Sequence, residues 1–532
     1  MVIITGMVTI IFGQITLFFG HIYPQKVNII TFFCTKVKNM MFLGIDLGSS
    51  SVKVSLFDGE KNERLKSVSY PSDEMEILSP EQGFAEQNPM IWIENLHKAV
   101  QILKKDFPKM LAEVKAIGIS YQMHGLVTLN KKGELVRNAI IWCDSRAVSI
   151  GENAYRELGT EFCNQHYLNS PGNFTASKLS WVRENEPEKF EEIDKFMLPG
   201  DFILYHLTGT ISTTAPGLSE GILWDYENEK TANALLHHYK IDSKLIPPLS
   251  PTFGEQGLLD EAIAKELGLT PGIPVTYRAG DQPNNALSLN VFHPGDVAAT
   301  GGTSGVIYGV TDQKRFDPLS RINTFLHVNH KAQAPRLGIL LCLNSVGILN
   351  AWARQELLNK AWTYDEMNAR ASEIAEGAGG IFVLPFGNGA ERALENKNIG
   401  VSFHDIDMNT HSKWHIVRAI HEGIAFAFYY GLEIMKEAGV DPKVIKAGYG
   451  NMFMSPVFNS TLANLAKTTI ELYNTNGAEG AARGAAIGLG YYQNYDDAFK
   501  GLKVIETIQP NQHSNISKSY QQWKTILHSS IQ

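Results

Sequence analysis

A turn of small residues between two β-branched runs occurs twice in this sequence, once in each half. The first turn is Gly48-Ser49-Ser50 within GIDLGSSSVKV, and the second is Gly302-Thr303-Ser304 within TGGTSGVIYGV. Positions 48 and 302 are 254 residues apart. Glycine permits the tight backbone of such a turn, and the flanking runs predict the strands of a β-hairpin. Two hairpins at corresponding positions indicate two halves with the same order of elements. So short a similarity does not by itself establish this.

The length of the chain and its net charge limit the number of domains and the kinds of partner to be expected. The chain has 532 residues, more than one hydrophobic core usually organises, so two large domains are expected. Its formal net charge is -8, and it contains no cluster of five or more Lys and Arg residues. This pattern argues against a nucleic-acid partner or a polybasic membrane patch, and favours a small-molecule partner.

The four cysteines, Cys34, Cys143, Cys163 and Cys342, are widely spaced and form no C-x-x-C pair. This spacing is typical of reduced thiols rather than of a disulfide framework or a zinc site. The sequence therefore predicts a cytoplasmic protein.

Residues 1–40 differ in character from the rest of the chain. The run MVIITGMVTIIFGQITLFFGHIY is long enough to raise the question of a membrane span. It has no basic segment before it, and glycine and polar residues interrupt it, so neither a signal peptide nor a stable span is well supported. We expect translation to start at Met40 or Met41, with the upstream residues non-native or unstructured; a membrane tether is the alternative.

Periodicity predicts alternating strands and helices in both halves. MFLGIDL and SVKVSLF form an expected antiparallel pair, and Asn88 and Pro89 begin an expected helix that leads to the strand VKAIGIS. The second half repeats this scheme, with a long helix that stops at Gly439 and a strand at KVIKAGY. The prediction is an α/β fold of mixed sheets covered by helices. Its expected parts are an N-terminal domain at 41–290, a C-terminal domain at 291–495, and a tail or helix at 496–532.

The two turns are candidates for phosphate binding. Their backbone N–H groups lie open and their hydroxyls add donors, so together they can cradle the oxygens of one triphosphate. Asp46 lies just before the first turn, where a phosphate-bound Mg²⁺ would need a carboxylate. The alternative is that both are merely tight hairpin turns, which are common in proteins.

The paired hairpins, Asp46 and the two similar halves resemble the actin-like ATPase superfamily, and further motifs resemble its FGGY family of carbohydrate kinases. YRAGDQPNNAL is similar to the family segment whose aspartate accepts a proton, here Asp281. FVLPFGNGAERALENKNIGVSF is similar to a family signature, with Gly389, Glu391 and Arg392 matching. VIKAGYGNMFMSP is similar to the adenosine loop, although Tyr449 interrupts what is often a run of three glycines. The resemblance extends from Met41 to Tyr492 and implies two actin-like, ribonuclease H-like domains with a cleft between them.

One branch of the family is matched more closely. Gln122-Met123-His124-Gly125 resembles the Q-M-H-G of xylulokinases, in which the Met-His pair touches the sugar. AIIWCDSRA resembles another xylulokinase segment, and places Asp144 and Arg146 on the sugar side. Gln282, beside Asp281, joins the predicted sugar-binding set.

The resemblance implies an ATP-dependent kinase that converts D-xylulose to D-xylulose 5-phosphate. Asp281 would be the proton acceptor and Asp46 a catalytic residue that holds Mg²⁺. The expected nucleotide-binding residues are Ser49, Ser50, Lys53, Gly302, Thr303, Gly448, Gly450 and Asn451. Two alternatives stay open: a kinase acting on gluconate, ribulose or a pentitol, and a non-catalytic actin-like nucleotide switch. Family members are often dimers, so a homodimer is possible by analogy.

Overall fold

The structure is a computed structural model that describes residues 40–344, 346–387 and 391–531. The predictions made for residues 1–39, for Cys34 and for Gly389 lie outside the described residues, as does the side chain of Glu391.

The described chain alternates strands and helices through most of its length. The strands are β1 Met41–Leu47, β2 Val52–Asp58, β3 Glu63–Tyr70, β4 Glu86–Gln87, β5 Val114–Tyr121, β6 Val127–Leu129, β7 Ala139–Ile140, β8 Lys195–Met197, β9 Trp224–Asp225, β10 Lys230–Thr231, β11 Phe253–Leu258, β12 Pro274–Gly280, β13 Val297–Gly301, β14 Gly305–Thr311, β15 Asn323–Leu326, β16 Leu337–Leu343, β17 Phe382–Phe386, β18 Gly400–His404, β19 Val444–Gly448, β20 Thr469–Tyr473 and β21 Val504–Ile508. The α-helices are α1 Pro89–Asp106, α2 Pro108–Leu111, α3 Val148–Leu158, α4 Thr160–Tyr167, α5 Thr175–Asn185, α6 Pro187–Glu192, α7 Pro199–Thr208, α8 Ala215–Glu220, α9 Asn233–His238, α10 Glu261–Leu267, α11 Asp281–Ser288, α12 Gly347–Trp352, α13 Tyr364–Glu373, α14 Lys413–Glu437, α15 Pro456–Ala466, α16 Gly477–Gly488, α17 Tyr495–Ala498 and α18 Ile516–Ile531.

The first sheet has six strands in the order β11-β12-β5-β1-β2-β3. Strands β1, β2 and β3 are antiparallel neighbours, whereas β1, β5 and β12 run parallel. The predicted hairpin is therefore confirmed. Except for Lys53, every residue of β2 is buried, as expected for a sheet with helices on both faces.

The second sheet repeats this arrangement with seven strands, in the order β15-β16-β14-β13-β19-β20-β21. Its strands β13, β14 and β16 are antiparallel neighbours, and β13, β19 and β20 run parallel. Each sheet thus joins an antiparallel hairpin to two parallel strands. This repetition confirms the prediction that both halves follow one plan.

Helices begin where the sequence has capping residues. The Asn88 side chain accepts a hydrogen bond from the Met90 N–H, and Pro89 is the first residue of α1, as predicted. The Ser412 side chain caps α14, which ends shortly before Gly439 at φ 84°. These local signals fix the helix ends, and burial of one face holds each helix against a sheet.

Helix α16 packs against the first sheet, although it follows a strand of the second. A Cβ atom added to Gly44 would lie 1.8 Å from the Ala478 carbonyl oxygen, and one added to Gly118 would lie 1.9 Å from that of Ala481. Only glycine allows so close an approach of helix and strand. The small residues of α16 therefore bring the start of this helix to the end of strand β1.

The C-terminal residues add to the second half. Strand β21 lies at the edge of the second sheet, and α18 buries Tyr520, Trp523 and Leu527 in its core. The Trp523 Nε1–H donates to the Val383 carbonyl at 2.7 Å. Helix α18 lies within the segment 496–532, for which a tail or a helix is expected. Throughout the part of the chain given above, every helix is too short or too polar to cross a lipid bilayer.

Candidate active site

Most of the predicted site residues lie at the carboxyl ends of the parallel strands. Strand β1 leads into the first glycine turn, β5 leads into Gln122-Met123-His124, and β12 leads into Asp281. In the second sheet, β13 leads into Gly302 and β19 ends at Gly448. Ligands of α/β proteins bind at this edge of a sheet, so the arrangement is that of a binding site.

Helix α11 links the two strand-end clusters. The Asn285 Nδ2 donates to the Thr300 hydroxyl at 2.7 Å, just before the second glycine turn. The Asn284 Nδ2 donates to the Gly477 carbonyl at 2.8 Å, where α16 begins. Asp281 is the first residue of this same helix.

The first glycine turn is held by side chains around Ser49. The Gln87 Nε2 donates to the Ser49 carbonyl at 2.7 Å, and the Trp142 Nε1 donates to the Ser49 hydroxyl at 3.3 Å. The Ser50 carbonyl accepts from the Met75 N–H at 2.8 Å. Sequence reasoning missed both residues, since Gln87 belongs to no motif and Trp142, although within AIIWCDSRA, was given no role there. The turn is therefore fixed in advance of any ligand.

The second turn and the adenosine loop share open space. A Cβ atom on Gly302 would meet nothing closer than 3.7 Å, one on Gly448 nothing closer than 3.9 Å, and one on Gly450 nothing within 4 Å. The Asn451 Nδ2 would lie 3.9 Å from that Cβ on Gly302. Thr303 completes the turn, and its carbonyl accepts from the Ile348 N–H at 3.3 Å. This open glycine backbone fits the phosphates of a nucleotide.

Asp281 is a partly exposed residue whose carboxyl group has a raised pKa. Burial among the surrounding protein, followed by repulsion from Asp46, raises the pKa of Asp281 to about 7. Hydrogen bonds from Gln282 oppose this shift without cancelling it. A carboxylate with a pKa near neutrality is well suited to accept a proton at physiological pH.

Asp46 lies at the start of helix α16. Its Oδ1 accepts a hydrogen bond from the Ser120 hydroxyl at 2.8 Å, and its Oδ2 would lie 2.4 Å from a Cβ atom on Gly477. Residues 40–531, within the described ranges, contain no group of three or more His, Cys, Asp or Glu side chains that could hold a metal ion. Asp46 fits instead the Mg²⁺ sites in which one carboxylate and phosphate oxygens share the ion.

The imidazole ring of His124 is neutral, and its hydrogen bonding shows which ring nitrogen carries the proton. Its Nδ1 lies 2.9 Å from the Glu220 carbonyl oxygen, which can only accept, so Nδ1 carries the proton and Nε2 is an acceptor. Burial, with the charge of Lys178 second, lowers the pKa of His124 to about 3. Its backbone has φ 61°, in the left-handed region that favours glycine.

Aromatic rings enclose His124 from both halves of the chain. The Phe174 ring lies 4.8 Å from the imidazole edge to face, and the Phe325 ring lies 5.4 Å away. Arg392, from the predicted signature, lies over the Phe174 ring at 5.1 Å. Phe325 belongs to β15 and Arg392 follows β17, so two segments of the second half reach the end of β5.

Glu220 is a buried acid that sequence reasoning missed. It accepts a hydrogen bond from the Tyr121 hydroxyl, and burial followed by the charge of Asp281 raises its pKa well above the usual range. A Cβ atom on Gly280 would lie 2.4 Å from its Oε2 and 2.5 Å from the Met123 Cγ. Met123 is itself buried. No motif marks Glu220, because folding alone brings it beneath these strand ends.

Asp144 and Lys53 have surroundings that differ from those of the other predicted residues. The Asp144 carboxylate is completely buried and accepts from the Ala85 N–H at 2.6 Å and from the Arg146 Nε at 2.9 Å. It orients Arg146, and this does not support a direct contact between Asp144 and a sugar. Lys53 is exposed on β2, opposite Asp46 in the strand register.

Comparison with known proteins agrees with this architecture. Residues 41–288 match the N-terminal domain, and residues 297–492 the C-terminal domain, of the FGGY family of carbohydrate kinases. The chain is 28% identical over 492 residues to the xylulose kinase of Staphylococcus epidermidis, which covers 91% of this chain and 95% of that protein. It is 29% identical to the xylulose kinase of Haemophilus influenzae, covering 92% and 99% of the two chains. The crystal structure of xylulose kinase from Rhodospirillum rubrum has a similar fold, with a TM-score of 0.82, 24% identity, and coverage of 92% and 98%.

Proposed function

Because this chain belongs to the FGGY family of carbohydrate kinases, and is therefore a sugar phosphotransferase, we propose that it phosphorylates D-xylulose to D-xylulose 5-phosphate. Kinases of this family use ATP as the phosphoryl donor. The observation that carries the proposal is the position of Asp281, a carboxylate with a pKa of about 7, beside the Met123-His124 loop that resembles xylulokinases.

Asp281 would accept the proton of the sugar hydroxyl that attacks the phosphate. As the bond from the sugar oxygen to the γ-phosphorus forms and the bond from that phosphorus to its bridging oxygen breaks, the hydroxyl proton passes to the Asp281 carboxylate. A general base acts best when its pKa lies near the working pH. The value of about 7 for Asp281 meets this condition.

Asp46 and the two glycine turns form the other side of the site. Asp46 would hold Mg²⁺, which, when bound, neutralises charge on the phosphate oxygens. Ser49, Ser50, Gly302 and Thr303 would donate hydrogen bonds from backbone and hydroxyl groups to the same oxygens. Gly448, Gly450 and Asn451 would border the adenosine.

His124 would recognise the sugar as a hydrogen-bond acceptor. Since its Nδ1–H is already donated to the Glu220 carbonyl, Nε2 can accept from a sugar hydroxyl. A neutral, half-buried acceptor of fixed orientation discriminates against ligands that lack the matching donor. We place the enzyme in the cytoplasm, where the thiols of Cys143 and Cys163 remain reduced.

The proposal is tested by measuring ADP release with a panel of acceptors. The panel contains D-xylulose, D-ribulose, gluconate, xylitol, and a reaction without acceptor. We expect the highest kcat/KM with D-xylulose and little ADP release without acceptor. A higher kcat/KM with gluconate, ribulose or xylitol would reassign the substrate, and ADP release that no acceptor stimulates would point to a nucleotide switch.

A further inference from the structure

We infer that His421, a buried residue of helix α14, positions the second glycine turn for nucleotide binding. It does so by joining two segments that flank this turn, α12 and the residues that follow β19. The inference rests on the proposed function in one respect, namely that this turn binds the phosphates of ATP.

His421 connects the two segments through both nitrogens of its ring. Its Nε2 lies 3.0 Å from the Asn350 Oδ1, which can only accept, so Nε2 carries the proton. Its Nδ1 lies 3.0 Å from the Ser455 hydroxyl and accepts the hydrogen bond. The Ser455 oxygen in turn accepts from the Phe458 N–H at 3.2 Å, so the chain of hydrogen bonds is complete.

The first segment, α12, contacts the glycine turn directly. The Gly347 N–H donates to the Gly302 carbonyl at 2.9 Å, and the Ile348 N–H donates to the Thr303 carbonyl at 3.3 Å. A Cβ atom on Gly347 would lie 2.3 Å from the Gly302 oxygen, so the backbones are in close contact. Asn350, the partner of His421, belongs to the same short helix.

The second segment, Asn451–Met454, packs against Gly301, the residue directly before the turn. A Cβ atom on Gly301 would lie 2.9 Å from the Met452 Cβ and 3.4 Å from the Phe453 ring. Ser455 follows this segment and caps α15. Both segments therefore contact the turn or the residue before it at one end and meet His421 at the other.

The surroundings of His421 exclude a chemical role and favour a positional one. His421 is 0% exposed and Ser455 is 1% exposed, so neither reaches a ligand. Burial, with the charge of Arg418 second, lowers the pKa of His421 to about 4, so the ring is neutral at physiological pH. A polar ring in this core is tolerated because both its nitrogens are satisfied, and satisfied buried networks give a segment one defined position.

Three variants test the inference by ADP binding, measured calorimetrically without sugar. His421→Leu removes both hydrogen bonds, His421→Gln can retain the bond to Asn350, and His421→Asn can retain the bond to Ser455. We expect the Kd for ADP to rise about tenfold in His421→Leu, and less in the other two, since each retains one hydrogen bond. The KM for the sugar should change less than about twofold, because His421 touches none of the sugar-side residues.

The matched control is His415→Gln, on the same helix. His415 also pairs with a serine, Ser412, at 3.0 Å, but it lies at the exposed start of α14. Its Kd for ADP should equal that of the wild type. Unchanged ADP affinity in folded His421 variants would overturn the inference, as would an equal loss in the control. If His421→Leu does not fold, the Kd for ADP of His421→Gln and His421→Asn, compared with the wild type, tests the inference instead. A wild-type protein that binds no ADP would instead refute the proposed function.

Discussion

The carboxylate of Asp46 raises the pKa of Asp281 by electrostatic repulsion, in addition to the larger effect of burial. Asp46 lies at the end of β1 and Asp281 directly after β12, so β5 alone separates their strands in the sheet. In the proposed function, Asp46 would hold a metal ion and Asp281 would take a proton. Because the charge of Asp46 contributes to the raised pKa of Asp281, the two proposed roles are coupled.

The pH dependence of activity should report this coupling. Only ionised Asp281 can accept a proton, so kcat/KM for the sugar should fall as the pH drops through about 7. In Asp46→Asn the repulsion is absent, the pKa of Asp281 decreases, and the fall should move to lower pH. Activity is measured from about pH 5 to about pH 9, and the titration of the Asp281 carboxyl group is followed over the same range by NMR in the metal-free wild type and variant, where no Mg²⁺ offsets the charge of Asp46. An unmoved acidic limb in the variant would refute the coupling.

Replacing Asp46 should also change the metal requirement. The Asp46→Ala variant lacks the proposed carboxylate ligand, so we expect half-maximal activity at a higher Mg²⁺ concentration, by about tenfold or more. Activity is titrated with Mg²⁺ at fixed ATP. The control is Asp58→Ala, which removes a carboxylate at the opposite end of the same hairpin. An unchanged titration in Asp46→Ala would contradict the assignment.

His124 should affect the sugar and not the nucleotide. Replacement of His124 by Leu removes the acceptor Nε2, so the KM for D-xylulose should rise about tenfold or more while the Kd for ADP stays constant. The control is His206→Gln, whose ring packs against His97. Equal effects on sugar and nucleotide would indicate a general structural defect rather than sugar recognition.

Close packing of α16 on the first sheet can be tested independently of activity. In Gly44→Ala the new Cβ would lie 1.8 Å from the Ala478 carbonyl oxygen, so either the strand or the helix must move. We expect a loss of about 3 kcal/mol in the free energy of unfolding, measured with urea. Gly272→Ala is the control, since φ is 75° there with no atom within 4 Å, and it should cost only about 1 kcal/mol. Equal losses would mean that the contact in Gly44→Ala does not matter.

Local patterns in the sequence are sufficient to predict the elements that position the site. The alternation around Val52 and Val54 predicts the hairpin, and Asn88 with Pro89 predicts the start of α1; both are confirmed. Such signals act over a few residues and depend little on the rest of the fold. Asp281 is marked by a motif instead, and its place directly after β12 became visible only in the structure.

Residues that act through long-range contacts could not be found in this way. Glu220 lies under the strand ends only because Tyr121 and Gly280 are brought to it by folding. His421 reads as one more residue of an apolar helix until Asn350 and Ser455 are seen beside it. The local spacing of residues does not predict such contacts, since the residues that make them are distant in the chain.

The central claim is that Asp281 accepts the proton of a sugar hydroxyl during phosphoryl transfer. The most direct test follows the formation of the sugar phosphate from ATP and D-xylulose by ³¹P NMR, in the wild type and in Asp281→Ala. We predict D-xylulose 5-phosphate as the product, and a kcat at least about 100-fold lower in the variant with the KM for the sugar little changed. A near-normal kcat in Asp281→Ala, or ATP consumption by the wild type without a sugar phosphate, would contradict the account.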